Sequence, residues 1–314
     1  MKRITSFLAA LTLALTAAAQ NYGMVDISVC NMRETPNYSA EMVSQAILGT
    51  PVEILQYGGD YGWPEVKTPD GYTGWVHKDA IVPMTKEQLH EWNHGPQAVV
   101  TALTGLVYEA PSAKSAVVSD VVAGDRFKLL GKCAKYLKVQ FPGGRIGYIS
   151  KADAKELEAW RKGLDNSAEG ILRTALSMRG FPYLWAGMSP KGMDCSGYVR
   201  TVLFMHDIII PRDSGPQSRT GERIKGFDAL QPGDLVFFGR WDGENPRVSH
   251  VGFYLGEGRF IHSLGLVKIG SFKADDPLYD AYNTGRYLFG TRILPYINEQ
   301  DGIATTLFND LYQL

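Results

Sequence analysis

Residues 191–206 read KGMDCSGYVRTVLFMH. Counting from Cys195, apolar side chains return at Tyr198, Val199, Val202, Leu203 and Met205, the spacing of a helix with one buried stripe. Asp194 is a capping residue type, so the pattern predicts a helix that starts here with Cys195 in its first turn. A thiol there faces the positive end of the helix dipole and unpartnered backbone N–H groups, which favours thiolate. Free cysteine is also among the most buried residue types. From this stretch alone Cys195 is a nucleophile, a metal ligand or a packed thiol. Asp194 adds a difficulty, because a carboxylate beside a thiol disfavours the thiolate. Its charge must be met by capping or by a bound ammonium.

A nucleophilic thiol needs a base. His250 opens the run HVGFYLG and His262 closes RFIH, with GEG between them. If the two runs form a hairpin centred near Gly256, the histidines stand directly or diagonally opposite each other. An odd loop places both rings on one face; an even loop would separate them. Such a pair suits a relay in which His250 takes the thiol proton and His262 orients it. A metal reading, with Cys195, His250 and His262 as three zinc ligands, is the competing chemistry. His77, His90 and His94 lack a Cys or carboxylate to complete a set, and the last two fall in a solvated linker.

The 314 residues are 45% hydrophobic and 21% charged with a formal net charge of −1, so the chain folds with real cores and has no basic surplus for nucleic acid. Residues 1–19, MKRITSFLAALTLALTAAA, have the cations, apolar run and small-residue end of a secretory signal. The apolar run is shorter than the roughly 20 residues a membrane span needs. Export to the periplasm or the exterior, with no stable membrane insertion, is expected. Cys30, Cys133 and Cys195 are an odd number, which leaves at least one free thiol; whether Cys30 and Cys133 pair is open.

Short β-like runs broken by Gly, Pro and Asp fill residues 25–84 and again 99–157. Trp63, Val66, Gly74, Trp75 and Val76 recur at one constant offset as Tyr136, Val139, Gly147, Tyr148 and Ile149, and Gly49 and Gly124 correspond at a slightly larger one. Two related small β domains, joined by a helical linker over 85–98, explain this. From Asn166 the grammar changes: NSAEGILRTALSMRG reads as a capped helix, the cysteine helix follows, and strand-like runs occupy 234–239, 250–255, 259–262 and 285–293. Helices followed by an antiparallel sheet make residues 166–297 an α+β domain, with 298–314 as a tail.

The phrases DCSGYV, SHVGFYLG and FIHS, in this order and spacing, resemble the NlpC/P60 family of cell-wall cysteine peptidases. FPYLWAG resembles it too, with Ala186 where a glycine is usual. PDGYTGWVHKDAI and PGGRIGYISKADA resemble bacterial SH3-like domains. The resemblance implies two SH3-like barrels followed by a papain-like α+β catalytic domain, acting as a monomer without cofactor or metal. It carries Cys195, His250 and His262 over as nucleophile, base and orienter, and places Tyr183 in the active site near the base or the oxyanion.

PRDSGPQS resembles the SH3-bearing branch that cleaves after γ-D-Glu in peptidoglycan stem peptides and requires a free L-Ala amine, with the first β domain packed over the cleft. On that resemblance Asp194 and Glu34 would hold the ammonium, and Asp213 marks the branch. Ser196, Ser214 and Arg212 would bind the D-Glu carboxylate, and Trp185 and Tyr72 would line the substrate. A lysin-like endopeptidase on intact cross-linked wall, or an inactive wall-binding protein, are the alternatives.

Overall fold

The computed structural model describes residues 21–314; the expected signal at 1–19 lies outside the described residues. Two seven-stranded antiparallel sheets come first. In the first, the strands are Tyr22–Val25, Val29–Arg33, Met42–Ile47, Pro51–Gly58, Trp63–Lys67, Thr73–Trp75 and Ile81–Met84. In the second they are Gln97–Val100, Thr104–Tyr108, Val117–Val122, Arg126–Cys133, Tyr136–Gln140, Ile146–Ser150 and Ala154–Glu156. The spatial order is the same in both: third, second, sixth, fifth, fourth, first, seventh. Gly49 N–H donates to Val25 O and Gly124 N–H to Val100 O, each at 2.9 Å, so the two glycines hold equivalent turns. Alternation drives burial. In Tyr136–Gln140, Leu137 and Val139 point into the core of the second sheet while their neighbours stay partly exposed.

The linker helix Lys86–His94 is capped by Thr85 with Gln88 completing the capping box, and it buries Leu89 and Trp92 against Met24 and Met84. It is packed, and His90 Nδ1 lies 2.9 Å from the carbonyl of Leu314. This corrects the reading of the linker as a solvated spacer. Residues 298–314 likewise pack rather than trail: Tyr312 is buried, the Arg126 guanidinium lies 4.8 Å from its ring centre, and Asn309 Nδ2 donates to Pro69 O at 2.7 Å.

The third region is a six-stranded antiparallel sheet in the order Glu222–Ile224, Tyr287–Arg292, Leu235–Asp242, Asn245–Gly256, Arg259–Leu264, Leu266–Ser271. Period-two patterning splits its faces. Leu235, Phe237, Val251 and Phe253 pack with Ile171, Val199 and Val202 of the helices Ala168–Ser177 and Cys195–Phe204. Val236, Phe238, Tyr254 and Phe260 form a second cluster with Phe272 and Tyr287.

The three bodies are joined by buried polar contacts. Arg126 of the second β domain donates to Asp207 at 3.0 Å, Arg161 reaches the same carboxylate at 3.3 Å, and Thr306 Oγ1 donates to it at 2.7 Å. Asp70 of the first β domain pairs with Arg200 at 3.0 Å. All three cysteines are free: Cys30 buried, Cys133 exposed, Cys195 half-buried.

Candidate active site

The cysteine helix begins as its sequence predicts. Asp194 is the N-cap, and its side chain accepts from Gly197 N–H at 2.7 Å. Gly197 permits the helix start to seat, because a Cβ there would lie 2.0 Å from Gly187 O. The backbone N–H groups of Val251 and Ser196 favour the Cys195 thiolate. Burial first, then the Asp194 charge, nevertheless push the thiol up to about 11.

His250 and His262 meet diagonally. Gly252 is the direct partner of His262, and a Cβ on Gly252 would come within 3.0 Å of the His262 Cβ, so the glycine makes room for the ring. The hairpin loop itself is even: Gly256 pairs with Arg259 across Glu257 and Gly258. A bulge at Leu255 restores the parity and returns both rings to one face. His250 Nε2 lies 2.7 Å from His262 Nδ1, with Phe238 and Phe260 walling the pair. Burial, His262, Arg286 and Lys268 lower His250 to about 3; burial lowers His262 to about 4 against the opposing pull of Asp280.

The tautomers follow from the contacts. His250 Nε2 is engaged by His262, so Nδ1 is left to serve the thiol. For Nε2 to donate to His262 Nδ1, His262 must carry its proton on Nε2. That nitrogen is buried without a hydrogen-bond partner and lies 3.7 Å from Asp280 Oδ2. Asp280 is itself held by Asn283, whose N–H and Nδ2 donate at 3.0 and 2.7 Å. The row Cys195, His250, His262, Asp280 can take a proton from sulfur and steady the imidazolium that forms. Asp280 was not among the expected site residues; no local pattern marks it, because it caps a short helix in the connection between two sheet strands.

A cleft of about 670 Å³ opens over Cys195 and His250, and Tyr183, Trp185, Asp194, Ser196, Asp213, Ser214 and Tyr72 all line it. Tyr183 is held by its N–H on Gly265 O at 3.0 Å, and burial beside Cys195 and Asp194 raises its phenol to about 12, so it remains a donor. Burial and Asp213 likewise raise Tyr72. The expected roles of four residues are corrected. Arg212 is 2% exposed, and its guanidinium donates to Asp194 at 2.6 and 3.2 Å, to Ser196 Oγ at 2.9 Å and to Ser44 Oγ at 3.2 Å. It therefore has no face left for a substrate carboxylate. Asp194 has its charge answered by Arg212 and needs no ammonium, and Ser196 is tied into the same network. Glu34 is exposed and away from the cleft; its N–H donates to the carbonyl of Glu41, and Glu41 is the acid on the cleft wall, accepting from Trp185 Nε1 at 2.8 Å.

Among the described residues, no group of three or more His, Cys, Asp and Glu side chains is placed to hold a metal ion, and no helix is long and apolar enough to cross a membrane.

Comparison with known proteins places the domain that carries this site. Residues 180–286 match the model of the NlpC/P60 family, and residues 28–82 match that of a bacterial SH3 domain. A γ-D-glutamyl-L-lysine dipeptidyl-peptidase from Bacillus cereus is 33% identical over 71% of this chain and 67% of its own length. The chain belongs to the NlpC/P60 family of cysteine peptidases. Dipeptidyl-peptidase 6 of Lysinibacillus sphaericus is 27% identical over 80% of this peptidase and 92% of the relative. A crystal structure of an NlpC/P60 family protein from Bacillus cereus superposes with a TM-score of 0.74 at 28% identity, covering 87% of this chain and all of the other. The peptidase thus joins an SH3-like domain at its N-terminal side to an NlpC/P60 domain that carries the cysteine.

Proposed function

We propose that this peptidase hydrolyses the bond between γ-D-Glu and a diamino acid, diaminopimelate or lysine, in peptidoglycan stem peptides that carry a free N-terminal L-Ala. The observation that carries the reading is the acidic end of the cleft. The SH3-like domain walls it with Glu41, Val43 and Tyr72, and Asp213 faces them from the catalytic domain. Two carboxylates and a phenol suit a primary ammonium, because Arg212, closed on Asp194 at 2.6 Å, reaches Asp213 only at 3.9 Å. Asp213 is exposed enough to receive it, and its carboxyl is raised by burial against the pull of Arg212.

In the reaction His250 Nδ1 takes the Cys195 proton as sulfur attacks the γ-carbonyl. The tetrahedral oxygen is met by the N–H groups at the helix start and the Tyr183 hydroxyl. His250 then protonates the leaving amine, and water attacks the thioester to free the dipeptide. No cofactor enters these steps. The second β sheet repeats the strand order of the first, and we read it as a second SH3-like domain with no cleft contact. Residues 1–19 support export to the wall compartment.

Mass spectrometry of products from L-Ala-γ-D-Glu-diaminopimelate and an N-acetylated copy tests the reading. The free-amine peptide should yield L-Ala-γ-D-Glu, and the acetylated one should stay intact. Equal cleavage of both, or release from intact cross-linked wall, would sink it in favour of a lysin-like endopeptidase.

A further inference from the structure

The cleft is lined by charge of both signs. Glu41, Asp194 and Asp213 line it, and so does Arg286, beside Ser249 and Tyr282. Arg286 makes no ion pair among the described residues. One Nη2 hydrogen donates to Ser249 Oγ at 2.6 Å, and the guanidinium lies 4.6 Å from the Tyr282 ring centre. Its backbone is held on both sides, with N–H on Asn283 O at 3.0 Å and its carbonyl accepting from Gly239 N–H at 2.8 Å. The side chain is half-buried, so a fixed planar fork presents its remaining N–H groups to the cleft.

Its position relative to the chemistry decides what it meets. Ser249 adjoins His250, and the leaving amine must come within hydrogen-bond reach of His250 to be protonated. The residue that carries that amine therefore lies on the Arg286 side, away from Glu41 and Asp213. Arg286 also acts on the charge of His250, whereas Asp213 and Asp194 act on Tyr72, which agrees with the two signs of charge being separate.

We propose that Arg286 binds a carboxylate of the leaving diamino acid, either its α-carboxylate or the carboxylate at the far end of a diaminopimelate side chain. The inference rests on the reading of the substrate given under Proposed function. It makes the cleft a ruler for a short dipolar peptide: ammonium at one end, scissile bond over Cys195, carboxylate at the other. A wall peptide whose diamino acid is amidated or extended at that carboxylate would be a poor substrate.

The test compares kcat/KM at pH 7.5 for four substrates: L-Ala-γ-D-Glu-L-Lys, its α-carboxamide, and L-Ala-γ-D-Glu-meso-diaminopimelate amidated at one or the other carboxylate. The wild-type enzyme should favour the form with the recognised carboxylate by about ten- to hundredfold, the range for a charge-assisted bond. The position of the sensitive amide tells which carboxylate is read. Arg286→Gln should bring that ratio close to one, and Arg286→Lys should keep part of it. Using a ratio cancels any effect of the mutation on His250 or on folding. Equal wild-type rates within both the lysine pair and the diaminopimelate pair, or an Arg286→Gln loss that is uniform across all four, would overturn the inference. Failure of the wild-type enzyme to cleave any of the four would instead overturn the substrate reading, and this inference with it.

Discussion

The two β domains share one strand order and differ in what they touch. The first supplies Glu41, Val43 and Tyr72 to the cleft and is latched to the catalytic domain through Gln45 Oε1, which accepts from Met188 N–H at 2.8 Å, and through the Asp70–Arg200 pair. The second supplies nothing to the cleft and is held by Arg126 on Asp207 and by Asp120 on Lys191. Equivalent positions show the divergence. Glu34 N–H bonds Glu41 O in the first domain as Glu109 N–H bonds Ala116 O in the second, so the cleft acid is replaced by alanine. The place of Tyr72 in PDGYTGW is taken by Arg145 in PGGRIGY, and Arg145 instead reaches Asp26 of the first domain at 2.7 and 3.3 Å. A shared strand order thus puts side chains of one copy in the cleft and leaves the other as a brace, and the difference lies in two side chains and in where each domain docks.

The bracing role gives the largest expected effect. Asp207→Ala leaves the buried Arg126 without its carboxylate, which should cost about 3–5 kcal/mol. Chemical denaturation would measure it, and a loss below about 1 kcal/mol would show that the second domain is held by something else. Recognition in the first domain comes next. Glu41→Gln and Tyr72→Phe should each lower kcat/KM on the free-amine peptide by about tenfold or more, mainly through KM. Arg145→Ala should change it less than twofold, the figure below which surface changes fall. Similar losses from Arg145→Ala and Tyr72→Phe would erase the functional contrast between the domains.

The catalytic row offers a finer test that neither β domain should influence. Because burial lowers His250 to about 3 and His262 to about 4, both imidazoles are neutral bases at pH 7, and kcat/KM should fall only as the pH drops through about 4. Asp280 pulls His262 upward, so Asp280→Asn should move that acid limb to lower pH and reduce kcat by about tenfold, the low end of the range for carboxylates that orient metal-binding imidazoles. A lower rate with an unmoved limb would mean that Asp280 is only structural. The thiol, raised to about 11, predicts iodoacetamide alkylation of Cys195 that climbs steadily between pH 6 and pH 9. A flat rate across that interval would reveal a preformed thiolate–imidazolium pair.

The smallest effect concerns Ala186, which stands where the family usually has glycine and adopts φ +59°. An L-residue in that region costs about 1 kcal/mol, so Ala186→Gly should change stability by about that amount or less, since glycine also loses more entropy on folding.

Much of this was legible in the chain. The start of the cysteine helix, the linker helix and the repeat of the β grammar are local or strictly periodic features, and local periodicity is what a sequence displays. What the chain did not display are contacts between residues far apart along it. Arg212 lies eighteen positions from Asp194, and only the folded core shows that its guanidinium closes on that carboxylate rather than on a ligand. Glu34 and Glu41 are indistinguishable as acids at the adjoining ends of two neighbouring strands; docking of the SH3-like domain on Trp185 selects Glu41. The even hairpin loop should have separated the histidines, and the bulge at Leu255, an irregularity of pairing with no residue signature, brought them back. The sequence by itself determined which residue types stand at helix starts and strand faces, because those depend on neighbours a few positions away. The tertiary structure decided which of the resulting charges are neutralised inside and which remain in the cleft, because that depends on burial and distance between separate elements.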